Sequence, residues 1–433
     1  MAERATAARR VAIACQGGGS HTAFTAGVLK GLLTADALAG HRVVAISGTS
    51  GGAVCALLAW QGLRRGDPAA AVAGLEAFWR DNAAAAPPEQ VANAWLLWAS
   101  RLQHVVSLPA VSPYDNPFAP LGLDRFRAML ERRVDFAGIE VQGPDEDPML
   151  LIGAVDVRTG DFRAFNSRRE RITPEAVLAS AAIPNLFRAV PVGDGLYWDG
   201  LFSQNPPVRE LLDAAPDEVW VIQINPRERP AEPRSVVDIA DRRNELAGNL
   251  SLYQELHFIE RIDHMLEDGV LSPESGYRPV VVRVIELVRP ASSMRHGAAS
   301  KLDRDPAFLR ALIAHGEARA AEFLASLAFE DAWRSRRADR IMALLHDDAE
   351  VVSAPPFTAA GPLRGHAEIR PFVDRHLART VRVDPTRKQV ARDRVTWSVR
   401  VRRRGGATGE GRAEAAFRDG RVAALALGPE AAR

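Results

Sequence analysis

Gly48-Thr49-Ser50-Gly51-Gly52 matches the pattern G-x-S-x-G, and its surroundings matter more than the match. An apolar run, Arg42 to Ser47, leads into it, and an apolar stretch with helical spacing, Ala53 to Leu63, leads out. A sharp strand-to-helix turn holds its central residue in a strained backbone conformation and presents the side chain at the sheet's edge. Small residues on both sides allow other backbone to come close. The N-terminus of the following helix points at the site and favours developing negative charge. Ser50 is therefore a candidate nucleophile for acyl transfer; a glycine-rich structural turn is the plainer alternative.

That chemistry needs an oxyanion hole and a base. Gln16-Gly17-Gly18-Gly19-Ser20 stands at the end of an apolar run, where successive backbone N–H groups can converge on one spot. Gly17, Gly18, Gly19 and Ser20 are the candidate oxyanion hole. A dinucleotide fingerprint would need glycine at position 22, which is Thr22, and a P-loop would need G-K-S/T, which does not follow. Asp199, in Trp198-Asp199-Gly200, is the candidate base, provided partial desolvation raises its basicity. An Asp-Gly pair alone is more often a turn, so Asp199 gains weight from its company. A Ser–His–Asp triad is the rival arrangement, with His104, His257, His264, His296 and His315 all following Ser50. None of them sits in a block that marks a catalytic histidine. His257 and His264 share a helix face and read as structural or solvent-facing.

The elements that position these residues have the order of a parallel α/β sheet. Val11 to Cys15 reads as a buried strand, Thr22 to Leu33 as a helix, Arg42 to Ser47 as a strand and Ala53 to Leu63 as a helix. Gly74 to Asn116 reads as helical. Leu150–Val155 and Phe162–Phe165 are expected to pair across Thr159-Gly160-Asp161, and Glu175 to Ala181 is a short helix. Glu218 to Ile224 is apolar enough for a central strand. Leu246 to Leu266, Val280 to Leu287 and Pro306 to Leu327 follow as helix, strand and helix, the last closing a first domain, 1–328.

From Phe329 the texture changes to a helix followed by Arg-rich alternating segments, an α+β unit over 329–433. This stretch carries 21 basic and 14 acidic residues, a net of +7, against −6 for the remainder. The whole chain nets only +1, which argues against a dedicated nucleic-acid binder. Arg400, Arg402 and Arg404 alternate along one strand, and their plain reading is one side turned to water. Cys15 and Cys55 supply neither a disulfide framework nor a zinc set. No run reaches the roughly 18 apolar residues of a membrane span, so the expectation is a cytoplasmic protein.

At this point the residues resemble a family. Gly17-Gly18-Gly19 with Gly27-Val28-Leu29, the Ser50 elbow, Ala179-Ser180-Ala181-Ala182-Ile183-Pro184-Asn185-Leu186-Phe187, and Tyr197 to Val208 resemble, in order, four blocks of patatin-like phospholipases. Arg242 to Leu246 and Leu252 to Glu255 resemble a segment of bacterial members. The resemblance implies a three-layer α/β/α fold with a mainly parallel central sheet. It implies a Ser–Asp dyad, with Asp199 acting directly on Ser50, and hydrolysis of lipid carboxylic esters through an acyl-serine. It calls for no cofactor or metal. Two departures stand out. The family's G-G-G-x-R-G has His21 and Thr22 in its later places, and its D-G-G/A block has Leu201 in the third. His21 reads as a loop residue, and Leu201 as a change to the acyl pocket. They leave open a degenerate lipid-binding or regulatory scaffold, and an esterase acting on polyester or thioester.

The C-terminal stretch resembles the SnoaL-like branch of the nuclear-transport-factor-2-type fold through Trp333, Leu344 to Ala349, Gly361 and Arg364 to Ile369. That implies a cone of helices on a curved sheet, often with a pocket and often dimeric. Its expected role is dimerisation or the binding of a small apolar ligand, with Asp347, Arg364 and His366 as surface or turn residues. Finally, Val91 to Val106 holds Trp95, Leu96, Leu97, Trp98, Leu102 and Val105 between Pro87-Pro88 and Pro109. A cap helix packed on the core is favoured there over a lid that meets lipid.

Overall fold

The computed structural model describes residues 8–34, 37–105, 112–116, 119–184, 186–229, 232–288, 298–358, 360–391, 394–406 and 408–429. It forms two compact units: Met1–Val280 with Arg289–Glu317, and Val281–Val288 with Ala318–Arg433.

The first unit begins β1 (Arg9–Cys15), a 3-10 turn (Gly19–Thr22), α1 (Ala23–Leu32), β2 (His41–Thr49) and α2 (Gly51–Arg64). The chain continues through α3 (Pro68–Asn82), α4 (Pro87–Val105), α5 (Ala119–Glu131), β3 (Met149–Asp156), β4 (Phe162–Asn166) and α6 (Pro174–Ala181). It then forms β5 (Val190–Val192), β6 (Gly195–Asp199), β7 (Glu218–Gln223) and α7 (Val236–Glu267). Within this unit the strand order is β7-β1-β2-β3-β6-β5, with β4 also on β3. The β7–β1–β2–β3 core is parallel, and β4, β5 and β6 add antiparallel pairs at its side. The parallel strands are covered on both faces, which is why they read as continuous apolar runs: Val11 to Cys15 and Val219 to Ile222 are all fully buried. Each large aliphatic side chain so buried contributes roughly 1.5–3 kcal/mol.

Capping sets the helix starts. Asp67 accepts from Ala70 N ahead of Pro68 in α3, and Thr173 accepts from Ala176 N ahead of Pro174 in α6. The stretch expected to be one helical region from Gly74 to Asn116 is divided, because Pro87-Pro88 starts α4 afresh after α3 ends at Asn82. Val106, Pro109 and Asn185 lie outside the described residues.

The second unit takes β8 (Val281–Glu286) and the part of α8 (Pro306–Arg334) that starts at Ala318. It adds α9 (Ala338–Ala343), β9 (Leu345–Ser353), β10 (Ala360–Arg364), α10 (Gly365–Arg379), β11 (Thr380–Ala391), β12 (Arg394–Arg403), β13 (Thr408–Arg418) and β14 (Arg421–Pro429). Strand order is β10-β9-β14-β13-β12-β11-β8, with β8 parallel to β11 through Val282 beside Arg387. Composition changes near Phe329, while the compact units assign β8 to the second unit because its partner β11 lies far along the chain. Buried Phe323, Phe329, Ile341, Phe372, Val395 and Trp397 form this core. At its centre Glu330 Oε1 accepts from Arg283 Nη1 at 2.7 Å and Trp397 Nε1 at 2.7 Å, with Lys388 Nζ at 3.0 Å. Burial pushes the Glu330 carboxyl up, but the two cations and their hydrogen bonds prevail and hold it well below the usual range.

Candidate active site

The chain enters the site at two strand ends. β1 stops at Cys15, and Gln16 begins the glycine loop. The Gln16 side chain ties that loop to two distant segments. Its Oε1 accepts from Ile224 N and Asn225 N, both at 2.8 Å, and its Nε2 donates to Gly248 O at 3.1 Å and Asn249 Oδ1 at 2.9 Å. Gly19 has φ of +58°, a region that favours glycine. The N–H groups of Gly18 and Gly19 have no protein acceptor among the described residues, so both are open to an oxyanion. Ser20 is buried in the turn that follows. Gly17 behaves differently from the expectation: its N–H donates to Asn205 Oδ1 at 2.7 Å. That donor is committed to holding the loop, so Gly17 is not available to bind an oxyanion.

β2 ends in the serine turn. Ser50 has φ of +58° and ψ of −131°, rare for a residue with a side chain, and stands as the N-cap of α2. The strain is held by its neighbours. Ser50 N donates to Ser180 Oγ at 2.9 Å, and Ser180 Oγ donates to Gly153 O at 2.6 Å. Thr49 Oγ1 donates to Gln204 O at 2.7 Å. Gly52 is required by closeness alone, since a Cβ there would lie 2.3 Å from Cys15 O.

Asp199 closes β6, opposite Ala154 of β3, and is 1% exposed. Its Oδ1 accepts from Leu201 N at 2.9 Å. Burial pushes its carboxyl up to about 7, against the lowering pull of the Ser50 hydroxyl, the Leu201 N–H and the Lys301 charge. A carboxyl that titrates in this range has the basicity that general-base chemistry near neutral pH requires.

His264 Nδ1 lies 2.6 Å from its own helix's Glu260 O, and His315 packs on Phe24. His296 lies outside the described residues. His21 is fully buried, with Nε2 2.7 Å from Ser300 Oγ and its ring edge-on to Phe308. It is a packed anchor of the loop. Leu201 supplies its N–H to Asp199 whatever its side chain, and that side chain lies toward Gly248 of α7. The residues that sequence reasoning left without a role are Gln16, Ser180 and Asn205. Ser180 and Asn205 stood inside recognised blocks, whereas Gln16 carried no spacing signal.

α4 shows its apolar stripe to the outside. Trp95 is 65% and Trp98 58% exposed, with Val91 beside them, while the buried contact is the polar Asn93. Asn93 Nδ2 donates to Asp303 Oδ1 at 2.8 Å, and Asn93 Oδ1 accepts from Arg304 N at 3.0 Å. Among the described side chains of α4, Asn93 supplies the buried polar contact while Trp95 and Trp98 stand exposed.

Residues 13–212 match the model of the patatin-like phospholipase family. Over that span the chain is similar to patatin-like phospholipases. Such a domain supports a lipid acyl hydrolase in general terms. Residues 327–425 match the SnoaL-like domain model, and the chain pairs a mixed α/β patatin domain with a C-terminal α+β SnoaL-like domain. No curated protein matches the chain. Among solved structures it is similar to two NTF2-like proteins of unknown function. One, from Mesorhizobium loti, shows 17% identity over 25% of this chain and 91% of that one, with a TM-score of 0.23. The other, from Burkholderia pseudomallei K96243, shows 18% identity over 25% and 91%, also at 0.23. TerC crystallised with polyporic acid shows 23% identity over 25% and 92%, at 0.23. No helix among the described residues is long and apolar enough to cross a membrane.

Proposed function

We propose that the patatin-like domain is a serine hydrolase that cleaves carboxylic esters of lipids with a Ser50–Asp199 dyad. The observation that carries this reading is the buried Asp199 carboxyl, raised to about 7 by burial and acted on by the hydroxyl of Ser50, which stands on a strained turn. Asp199 takes the proton as Ser50 Oγ attacks the acyl carbon. The tetrahedral oxyanion is met by the N–H groups of Gly18 and Gly19, with the α2 N-terminus aimed at the same place. The intermediate collapses, the acyl–oxygen bond breaks, and Asp199 returns the proton to the leaving alcohol. Water, activated by the same carboxylate, then releases the fatty acid and restores Ser50.

The exposed Val91, Trp95 and Trp98 support peripheral contact of α4 with lipid, since tryptophan suits an apolar–polar boundary. For the SnoaL-like domain we favour a small apolar ligand, on the strength of an apolar pocket lined by Phe329, Trp333, Phe357 and Trp397. Asp347 and Arg364 are exposed, in line with surface roles.

The test measures p-nitrophenyl ester hydrolysis and fluorophosphonate labelling for wild type, Ser50→Ala and Asp199→Asn. Labelling and turnover are expected in wild type only. Equal labelling in Ser50→Ala overturns the reading, and saturable lipid binding with no turnover in wild type would point to a scaffold. A panel of phospholipid, acylglycerol, polyester and thioester substrates then identifies the ester.

A further inference from the structure

Thr22 joins the glycine loop to α1 and is fully buried. It is the N-cap of that helix, where a threonine ordinarily accepts a hydrogen bond from the helix's first turn. Among the described residues, its hydroxyl caps nothing in α1. Its Oγ1 instead donates back to Gly19 O at 2.6 Å. The carbonyl before that one is held as well, since Gly18 O accepts from His21 N at 3.3 Å. A trans peptide carries its C=O and its N–H on opposite sides. Holding the Gly18 and Gly19 carbonyls therefore sets the directions of the Gly19 and Ser20 N–H groups. Thr22 also meets the serine turn. Gly51 follows the nucleophile, and a Cβ there would fall 2.1 Å from Thr22 Oγ1 and 3.0 Å from Gly19 O. Thr22 O accepts from Cys55 Sγ, on α2, at 3.5 Å. One side chain thus lies between the loop and the turn that carries Ser50.

We propose that Thr22 is a positioning residue of the active site: its hydroxyl holds the Gly19 carbonyl beside the serine turn and so aims the loop's N–H groups at the oxyanion. The proposal rests on the Ser50–Asp199 reading above. Its physical basis is that such donors help most when they already point at the place where charge develops, so that none has to turn during the reaction. A run of glycines does not keep one direction by itself, because glycine is conformationally permissive. The threonine hydroxyl supplies the missing constraint. The role needs no contact between Thr22 and substrate.

The test compares kcat and KM for a p-nitrophenyl ester across pH in full-length wild type, Thr22→Val, Thr22→Ala and Thr22→Ser, each checked for folding by thermal melting. Valine keeps the shape of threonine and loses the hydroxyl. It is expected to lower kcat about 10- to 100-fold, somewhat less than the loss of a whole oxyanion donor, with KM within about threefold and the same fall at every pH. A boronic acid, whose tetrahedral serine adduct mimics the intermediate, is expected to bind Thr22→Val more weakly by a similar factor. Thr22→Ser keeps the hydroxyl and is expected to stay within about threefold of wild type. Thr22→Ala supplies the same reading if Thr22→Val does not fold. Wild-type kcat in a folded variant without the hydroxyl, a loss confined to KM, a shifted pH limb, or a Thr22→Ser as impaired as Thr22→Val overturns the proposal. So does the failure of both Thr22→Val and Thr22→Ala to fold. If Ser50→Ala hydrolyses the ester like wild type, the dyad reading falls and takes this role with it. If Ser50→Ala is inactive while Thr22→Val keeps its kcat, only the role of Thr22 falls.

Discussion

Asp199→Asn separates what the carboxylate does for chemistry from what it costs the fold. In the folded chain burial raises this group from an ordinary 3.8 to about 7. The sign follows from linkage. The folded state holds the proton more tightly than the unfolded state, so stability is full below about 4 and is lost as pH rises towards the folded value. At about 1.4 kcal/mol per pH unit, three units amount to about 4 kcal/mol above pH 8, an upper figure for a site that relaxes. Asparagine keeps a side-chain oxygen for Leu201 N but has no charge to desolvate. Urea unfolding at pH 4, 6 and 8 is therefore expected to show the variant close to wild type at pH 4 and more stable by about 2–4 kcal/mol at pH 8. Its hydrolytic activity should be absent throughout, while wild-type kcat/KM rises through about pH 7. A stability difference that does not change with pH, or a variant that is weaker at pH 8, would refute the desolvated-carboxylate account.

Ser50→Gly removes the side chain from a positive-φ position and should raise stability by about 1 kcal/mol while abolishing fluorophosphonate labelling; a lower melting temperature would show that the turn is unstrained. Glu330→Ala leaves Arg283 and Lys388 buried beside a missing carboxylate and should cost about 3–5 kcal/mol in chemical denaturation, with a loss under 1 kcal/mol counting against the buried cluster. The double variant Trp95→Ala/Trp98→Ala should float poorly with phosphatidylcholine vesicles relative to wild type, and equal flotation would remove α4 from the lipid surface.

Much of the site is legible in the chain itself because it is built from local signals. A strand, a glycine-flanked serine and a helix occupy consecutive positions, so Ser50 announces its own geometry. The apolar runs of β1, β2 and β7 announce a parallel core, since strands covered on both faces have little room for polar residues. Asp199 is less explicit. Asp-Gly is a common pair, and only its company with the other blocks singled it out.

What the tertiary structure decided is the set of relations between distant segments. Gly17, Gly18 and Gly19 look alike in sequence, yet the Gly17 N–H is spent on Asn205 while Gly18 and Gly19 stay open. The sequence of α4 leaves open which side packs, and only the tertiary structure shows Asn93 buried against Asp303 with Trp95 and Trp98 exposed. The charge change near Phe329 marks a shift in composition, whereas the pairing of β8 with the distant β11 puts Val281–Val288 in the second compact unit. The basicity of Asp199 is likewise a tertiary quantity, for it depends on how fully the fold excludes water from one carboxyl. Local sequence encodes backbone turns and covered faces; desolvation and long-range charge exist only once the segments meet.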